Sequence, residues 1–469
     1  MRISRRSLLQ ASLAAPWVAT RAVAADVVAM ELTTQRIGRI SPDFMGLGYE
    51  ASSVAIDGLL SANNRSYVQL VRNLGRQGVI RIGGNVSDFS TFDARGRSAS
   101  LPKATILTLA NLRQLRTFLD ATGWSLIWGL NLGADRLDNA VEEARAVAET
   151  MGPRLLALEI GNEPDLFPRN GHSQPNYGYA AWLADYRRYK TAIRAVLPRV
   201  PLAGPDAAGA VDWVENFARD EGRDISLLTA HHYITGQANP DVSIPLMLQE
   251  EKKYQPALAR FQAAAVKAQV PYRICETASF SGGGRLDVSD TFAAALWALD
   301  YLFVLASNGC SGVNMETGVN HLGWISHYTP IGDDLAGHYS PAPEYYGLLA
   351  FAQVGRGNLM AVSCNSGGMN LTSYATDQGD GRTVLTVINK DPTRNAAVQL
   401  HTPSQLRRGE IVGLTAPSLQ SKAGIVFGGS SVLANGIWGG GRPSPIQISG
   451  RDANFEVPAA SAALVTLVG

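Results

Sequence analysis

The sequence predicts a (β/α)8 barrel followed by an antiparallel β-sandwich. Three observations carry this. Between about residues 42 and 355, eight short apolar runs bounded by Gly, Asn or Asp alternate with longer segments of helical period. After about Gly355 the helical period stops, and β-rich runs alternate with Gly, Ser, Asn and Pro clusters. The 469 residues, 46% of them hydrophobic, suffice for two or three domains with buried cores.

Taken in order, "VVAMELTTQRIGRI" (Val27–Ile40) is strand-like and precedes the barrel. It is expected to pair into the C-terminal sandwich, which makes that domain discontinuous. The eight barrel strands are then "FMGLGYE" from Phe44, "GVIRIGG" from Gly78, "SLIWGLN" from Ser125, "LLALEIGNE" from Leu155, "PLAGPD" from Pro201, "LLTAHHY" from Leu227, "YRICET" from Tyr272 and "SGVNMET" from Ser311. Helical period appears between them at Ser66–Arg76, Leu109–Ala121, Asp138–Met151, Tyr179–Ala195, Ala257–Ala268 and Asp290–Ser307. The sandwich is read from "TVLTVIN", "GEIVGL" and "AALVTLV". The expected division is a leader over residues 1–25, the joining strand over 26–41, the barrel over 42–355 and the sandwich over 356–469.

The leader, "SRRSLLQASLAAPWVATRAVAA", has the paired Arg5 and Arg6, a modest apolar stretch and small residues at Ala22-Val23-Ala24. This is the pattern of a twin-arginine export signal cleaved near Ala24 or Ala25, and it implies a protein delivered folded to the periplasm or beyond. No other apolar run reaches the roughly 20 residues of a membrane span. The formal charge of +1 gives no electrostatic footprint for nucleic acid. Cys275, Cys310 and Cys364 are too widely spaced for a CxxC metal site, and their odd number leaves at least one free thiol.

In such a barrel, chemistry concentrates at the C-terminal ends of the strands. Strand four ends in Gly161-Asn162-Glu163-Pro164 and strand seven in Cys275-Glu276-Thr277. Strand one ends in Tyr49-Glu50, strand two carries Arg81, strand six ends in His231-His232-Tyr233, and strand eight carries Glu316. Two carboxyls facing one cleft from strands four and seven suit cleavage of a glycosidic bond. One protonates the leaving oxygen, while the other attacks the anomeric carbon and stays ionised beside a cation or donor. Arg81 and Tyr233 are placed to support the nucleophile, and Asn162 to donate to a sugar 2-hydroxyl. Glu159, deeper on strand four, is expected to pair with an arginine, whereas Glu316 either lines the cleft or simply ends its strand. His231 and His232 alternate across a strand and cannot chelate one ion together; no metal or cofactor is expected. Trp128, Trp324, Tyr328 and Tyr339 either stack on a sugar or fill the core.

These residues carry a resemblance. "LEIGNEPDLF", "YRICETASFSGGG" and "SDTFAAALWALDYL", together with "RISPDFMGLGYE", "IRIGGNVSDFSTF", "SLIWGLN", "LAGPD" and "LTAHHY", resemble glycoside hydrolase family 79, the β-glucuronidase and heparanase family of a large clan of retaining glycosidases. The resemblance implies a barrel with a β-sandwich and double-displacement chemistry. It implies Glu163 as acid/base, Glu276 as nucleophile, and Glu50, Asn162 and Tyr233 around the sugar. It further implies that the backbone of Gly282 and Gly283 approaches a uronate carboxylate. Ser281 stands where the family's glucuronidases usually carry a carboxylate-binding tyrosine, and a second family tyrosine falls at Tyr328 or is replaced there by a histidine. The expected activity is hydrolysis of a β-glucuronide, with a neutral β-glycoside as the alternative substrate and a non-catalytic carbohydrate-binding protein as the remaining one.

Overall fold

The computed structural model describes residues 25–98, 105–249, 251–318, 326–334, 336–354 and 356–469. The twin-arginine pattern and Trp324 lie outside the described residues. The strand β1 spans Asp26–Ile40. Each of the eight apolar runs then forms a strand: β2 (Gly46–Glu50), β3 (Val79–Gly83), β4 (Ser125–Leu130), β5 (Leu155–Ile160), β6 (Ala203–Ala207), β7 (Leu227–Gly236), β8 (Tyr272–Ser281) and β9 (Val313–Glu316). They pair in parallel in the order β5-β4-β3-β2-β9-β8-β7-β6. The ring closes where Leu158 meets Leu202 and the Leu158 amide donates to the Pro201 carbonyl at 2.9 Å. Such strands are covered on both faces, so they read as short continuous apolar runs. Val79, Ile127, Ala157, Ala203, Leu227 and Cys275 fill the barrel interior below the strand ends.

The helices between the strands begin and end where local chemistry dictates. In the helix Leu109–Thr122, Thr108 and Asn111 form a reciprocal capping box, and Gly123 takes the left-handed conformation that terminates it. Beyond the expected helices, Val211–Glu221 and Pro343–Val354 are also helical. Phe292–Ser307 is buried on all sides down to Ala306. Its outer face lies against the C-terminal sheet, so it carries no polar stripe. No described helix is long and apolar enough to cross a membrane.

The C-terminal domain is a sandwich made by one curled ladder of 11 strands. β1 lies inside it, antiparallel to Gly357–Asn365 and parallel to Ala396–His401. Val28, Met30, Leu385, Val387, Val398 and Val465 pack together inside the curl. The outer face carries Leu359, Val384, Ile388 and Leu464 into the same apolar cluster as the barrel helices. Asp300, on Phe292–Ser307, locks this contact by accepting from Thr372 Oγ1 and the Tyr374 hydroxyl, each at 2.7 Å, and by pairing with Lys390.

Candidate active site

Arg81 organises the mouth of the barrel. Its fully buried guanidinium donates from Nε to Glu159 at 3.1 Å, from Nη1 to Glu276 at 2.7 Å, and from Nη2 to the Asn162 amide oxygen at 2.8 Å and to Asp206. A side chain on Gly83 would strike this guanidinium, so the glycine leaves room for it. Because Arg81 can only donate, the Asn162 atom facing it is the oxygen. The Asn162 amide nitrogen is left buried and without a partner among the described residues.

Just past β5, Glu163 adopts φ +48° and ψ 53°, a left-handed conformation that a non-glycine residue rarely takes. Its amide donates to the Asp206 carbonyl on β6 at 3.0 Å, which pins the turn. His231, on β7, bridges two acids: Nε2 lies 2.8 Å from Asp206 and Nδ1 3.1 Å from Glu163. Glu276 lies in register with His231. Its Oε2 takes Arg81, and its Oε1 accepts from the Tyr233 hydroxyl at 2.9 Å. Glu163, His231 and Glu276 each offer an atom within 4.8 Å of the others. Glu50 is tied by its Oε2 to the Val86 amide at 2.8 Å and lies against Gly84, where a Cβ would collide with its carboxyl.

The charges follow from this packing. Burial alone would lower the His231 pKa, but Asp206 and Glu276 and the hydrogen bonds to Asp206 and Glu163 raise it well above the ordinary value. It is therefore an imidazolium whose two N–H groups both donate, and neither nitrogen keeps a lone pair for a metal. Burial pushes Asp206 up, but Arg81 and then His231 outweigh it and hold its pKa at about 2. Burial raises Glu163, the His231 hydrogen bond opposes this, and the Glu276 charge adds to it; the net shift is upward. Glu50 rises to about 8 through burial and then the Glu276 charge, and Glu316 rises well above the ordinary value for the same two reasons. Two buried cations, Arg81 and His231, thus face Glu159, Asp206, Glu163 and Glu276, while burial shifts Glu50, Glu163 and Glu316 toward their protonated forms.

At the rim, Gly282, Gly283 and Gly284 all have positive φ, between +78° and +97°, a run that side chains would strain. The Gly282 carbonyl accepts from Gln237 and the Gly283 carbonyl from the His327 amide at 2.6 Å. Ser281 ends β8 beside this loop, with its carbonyl taking the Gln237 amide. Tyr328 is buried, its ring 6.3 Å from that of Tyr233. Glu50, Arg81, Asn162, Glu163, Tyr233, Glu276 and Tyr328 thus surround one cleft, with Ser281, Gly282 and Gly283 at its edge. Two of the aromatic candidates lie elsewhere. Trp128 is a core residue whose indole donates to Glu143, and Tyr339 packs edge-on against Tyr67. His232 turns away from the cleft to Tyr301 and Tyr254, and burial lowers its pKa to about 3. The sequence reading missed Asp206 and the bridge made by His231. The signal for Asp206 was its place as the sole charged residue of "PLAGPD".

No family model matches the chain. Among proteins of known activity, it is 26% identical over 343 residues to a β-glucuronidase of Aspergillus niger, an alignment covering 64% of this chain and 62% of that one. It is 27% identical over 331 residues to a β-glucuronidase of Neurospora crassa, covering 60% and 58%. The chain therefore spans about three fifths of the length of these relatives. The chain is thus similar to proteins named β-glucuronidase. A bovine heparanase is 24% identical over 412 residues, covering 72% of this chain and 71% of that one. In fold, the chain matches a solved 4-O-α-L-rhamnosyl-β-D-glucuronidase from Fusarium oxysporum with a TM-score of 0.79 at 20% identity, covering 94% of this chain and all of that one. An arabinofuranosidase from Xanthomonas axonopodis matches at 0.70 and 15%, covering 94% and 99%.

Proposed function

We propose that the protein is a retaining β-glycoside hydrolase acting on β-glucuronides, with Glu276 as nucleophile and Glu163 as acid/base. One observation carries the reading: an oxygen of Glu163 lies within 4.8 Å of one of Glu276. Retaining enzymes keep these carboxyls about 5–5.5 Å apart, whereas inverting ones need roughly 6.5–9.5 Å to admit a water. The environments differ as the two roles demand. Glu276 is held by Arg81 and Tyr233, and Glu163 keeps a raised pKa beside it.

In the first step Glu276 attacks the anomeric carbon while Glu163 gives its proton to the leaving oxygen. Glu276 then loses its charge to the glycosyl ester, and with it goes one of the influences raising the Glu163 pKa. Glu163, now ionised, takes a proton from the incoming water, and the ester is displaced. Total cleft charge is the same before and after each transfer, so no step exposes an unpaired buried charge. Asn162, with its free amide donor, is suited to the sugar 2-hydroxyl.

The uronate preference is supported by the activities of the two fungal relatives and by the glycine run at the rim. Ser281 favours a second reading, a neutral β-glycoside, because a serine reaches less far than the tyrosine usual there. Hydrolysis of matched 4-nitrophenyl β-glucuronide and β-glucoside decides between them: a higher kcat/KM for the glucoside overturns the uronate assignment. NMR of the first-formed anomer tests retention. The paired Arg5 and Arg6 support twin-arginine export, and replacing both with lysine should leave the protein in the cytoplasm.

A further inference from the structure

Glu316 is a buried acid that the mechanism does not use. It ends β9 with 4% of its surface exposed, and its Oε2 has no hydrogen-bond partner among the described residues. Buried polar atoms are nearly always satisfied in a folded protein, so an orphan in a cleft marks a place for a ligand atom. Its position is set by register. Glu316 pairs with Gly48 on β2, and Gly48 pairs with Arg81 on β3. Paired residues of parallel strands share a face, so Glu316 points inward as Arg81 does. Gly48, between them, has no side chain; a Cβ there would lie 2.8 Å from Glu316 Oε2. That gap admits the carboxyl to the floor of the cleft. Burial comes first, and then the neighbouring Glu276 charge, in raising its pKa. Tyr328, buried beside Tyr233, is raised first by burial and then by the neighbouring Glu316.

A second aspect of the geometry separates Glu316 from a purely structural acid. Glu159, equally buried, is held by Arg81 through its Oε2, although its Oε1 is also without a partner among the described residues. Glu316 has no such partner for its Oε2, and the nearest cations, Arg81 and His231, are already committed to Glu276, Glu159, Asp206 and Glu163. We propose that Glu316 is a specificity-determining residue whose Oε2 hydrogen-bonds a ring hydroxyl of the bound sugar. The proposal rests on the glycosidase reading above. As a neutral acid Glu316 offers one O–H donor and a carbonyl acceptor, and it meets a hydroxyl without adding a charge beside the nucleophile.

The test compares wild type, Glu316→Gln and Glu316→Ala on 4-nitrophenyl β-glucuronide and on its 3-deoxy and 4-deoxy counterparts, with kcat and KM separated. Glutamine keeps the donor and the volume and should stay within about threefold of wild type. Alanine should lose about 10- to 100-fold in kcat/KM on the parent substrate. On the one deoxy substrate that lacks the contacted hydroxyl, wild type and Glu316→Ala should be equal. A loss of the same factor on every substrate, or no loss on the parent, overturns the proposal. Thermal melts followed by circular dichroism show whether Glu316→Ala is folded; if it is not, loss of the donor contact is read from Glu316→Met. Calorimetric binding of the same glycosides in a Glu163→Gln background reports on Glu316 without turnover. A chain that binds glycosides but hydrolyses none refutes the glycosidase reading while still testing Glu316, and a chain that binds none overturns both.

Discussion

Replacing Asp206 with asparagine isolates the acid half of the proposed reaction. Asp206 sits 2.8 Å from His231 Nε2 and holds its proton there. So close to the ring, this charge is the largest influence raising the imidazolium pKa. Without it burial, the largest opposing influence, shifts His231 toward the neutral form. This changes where the Glu163 proton lies. In the native protein His231 Nδ1–H donates to Glu163 Oε1, so the carboxyl proton must sit on Oε2. With a neutral His231 whose Nδ1 accepts, the proton moves to Oε1 and is held by the histidine instead of being offered to the leaving oxygen.

A hydrogen bond to a charged group contributes about 1.5–3 kcal/mol, so kcat/KM for an alkyl glycoside should fall about 10- to 100-fold in Asp206→Asn. A 2,4-dinitrophenyl glycoside, whose leaving group needs no proton, should lose less than about threefold. Steady-state kinetics on the two substrates, with His231 protonation followed by nitrogen NMR, is the assay. Equal losses on both substrates would refute the reasoning, because Asp206 would then act through Arg81 and Glu276. A His231 that stays protonated would refute it independently.

Further outcomes are expected. Glu50 is neutral below its pKa of about 8 and gains a charge above it; KM for a glucuronide should therefore rise as the pH passes about 8, with a smaller rise for a matched glucoside. Gly83→Ala places a methyl against the Arg81 guanidinium and should cut kcat at least about 100-fold, with a lower Tm, since all of that group's neighbours are fixed. Asp300→Leu strands Lys390 in a buried setting and should cost about 3–5 kcal/mol of stability by denaturant unfolding, with KM unchanged because the contact lies between the barrel and the sheet.

The barrel was legible because parallel strands buried on both faces leave continuous apolar runs, as in "GVIRIGG" and "SLIWGLN". Their ends were legible because Gly, Asn and Asp punctuate them, and this brought Glu163 and Glu276 forward as a pair. The helix Pro343–Val354 was not, because a helix buried all round has no period to read. The extra helix Val211–Glu221 is amphipathic but short. Asp206 was hidden for a different reason: nothing in "PLAGPD" says that the ring closes at β6 and turns this carboxylate toward Arg81. The histidine pair was weighed only as chelators. Strand alternation assigns them opposite faces, and it takes the closed barrel to show that His231 has the cleft and His232 the aromatic layer around Tyr254 and Tyr301.

On the proposed reading, the same closure explains how a cleft with so many acids would serve an anionic sugar. If Glu50, Glu163, Glu276 and Glu316 were all ionised, a uronate would meet four negative charges within one small site, and binding would be opposed. Arg81 and His231 are taken up by Glu159, Asp206, Glu163 and Glu276, and Glu50, Glu163 and Glu316 are shifted toward their neutral forms, so the floor of the cleft presents donors in place of much of that charge. Among the described residues, both cations at the floor, Arg81 and His231, are committed to acids, so neither is free to attract a carboxylate inward. A uronate group then has its best place at the rim, where the backbone of the Gly282–Gly284 run is open to close approach. On this argument the preference for glucuronide over glucoside depends on the rim, and Gly283→Ala should reduce it while leaving glucoside turnover nearly intact; an equal loss on both sugars would move the uronate site elsewhere.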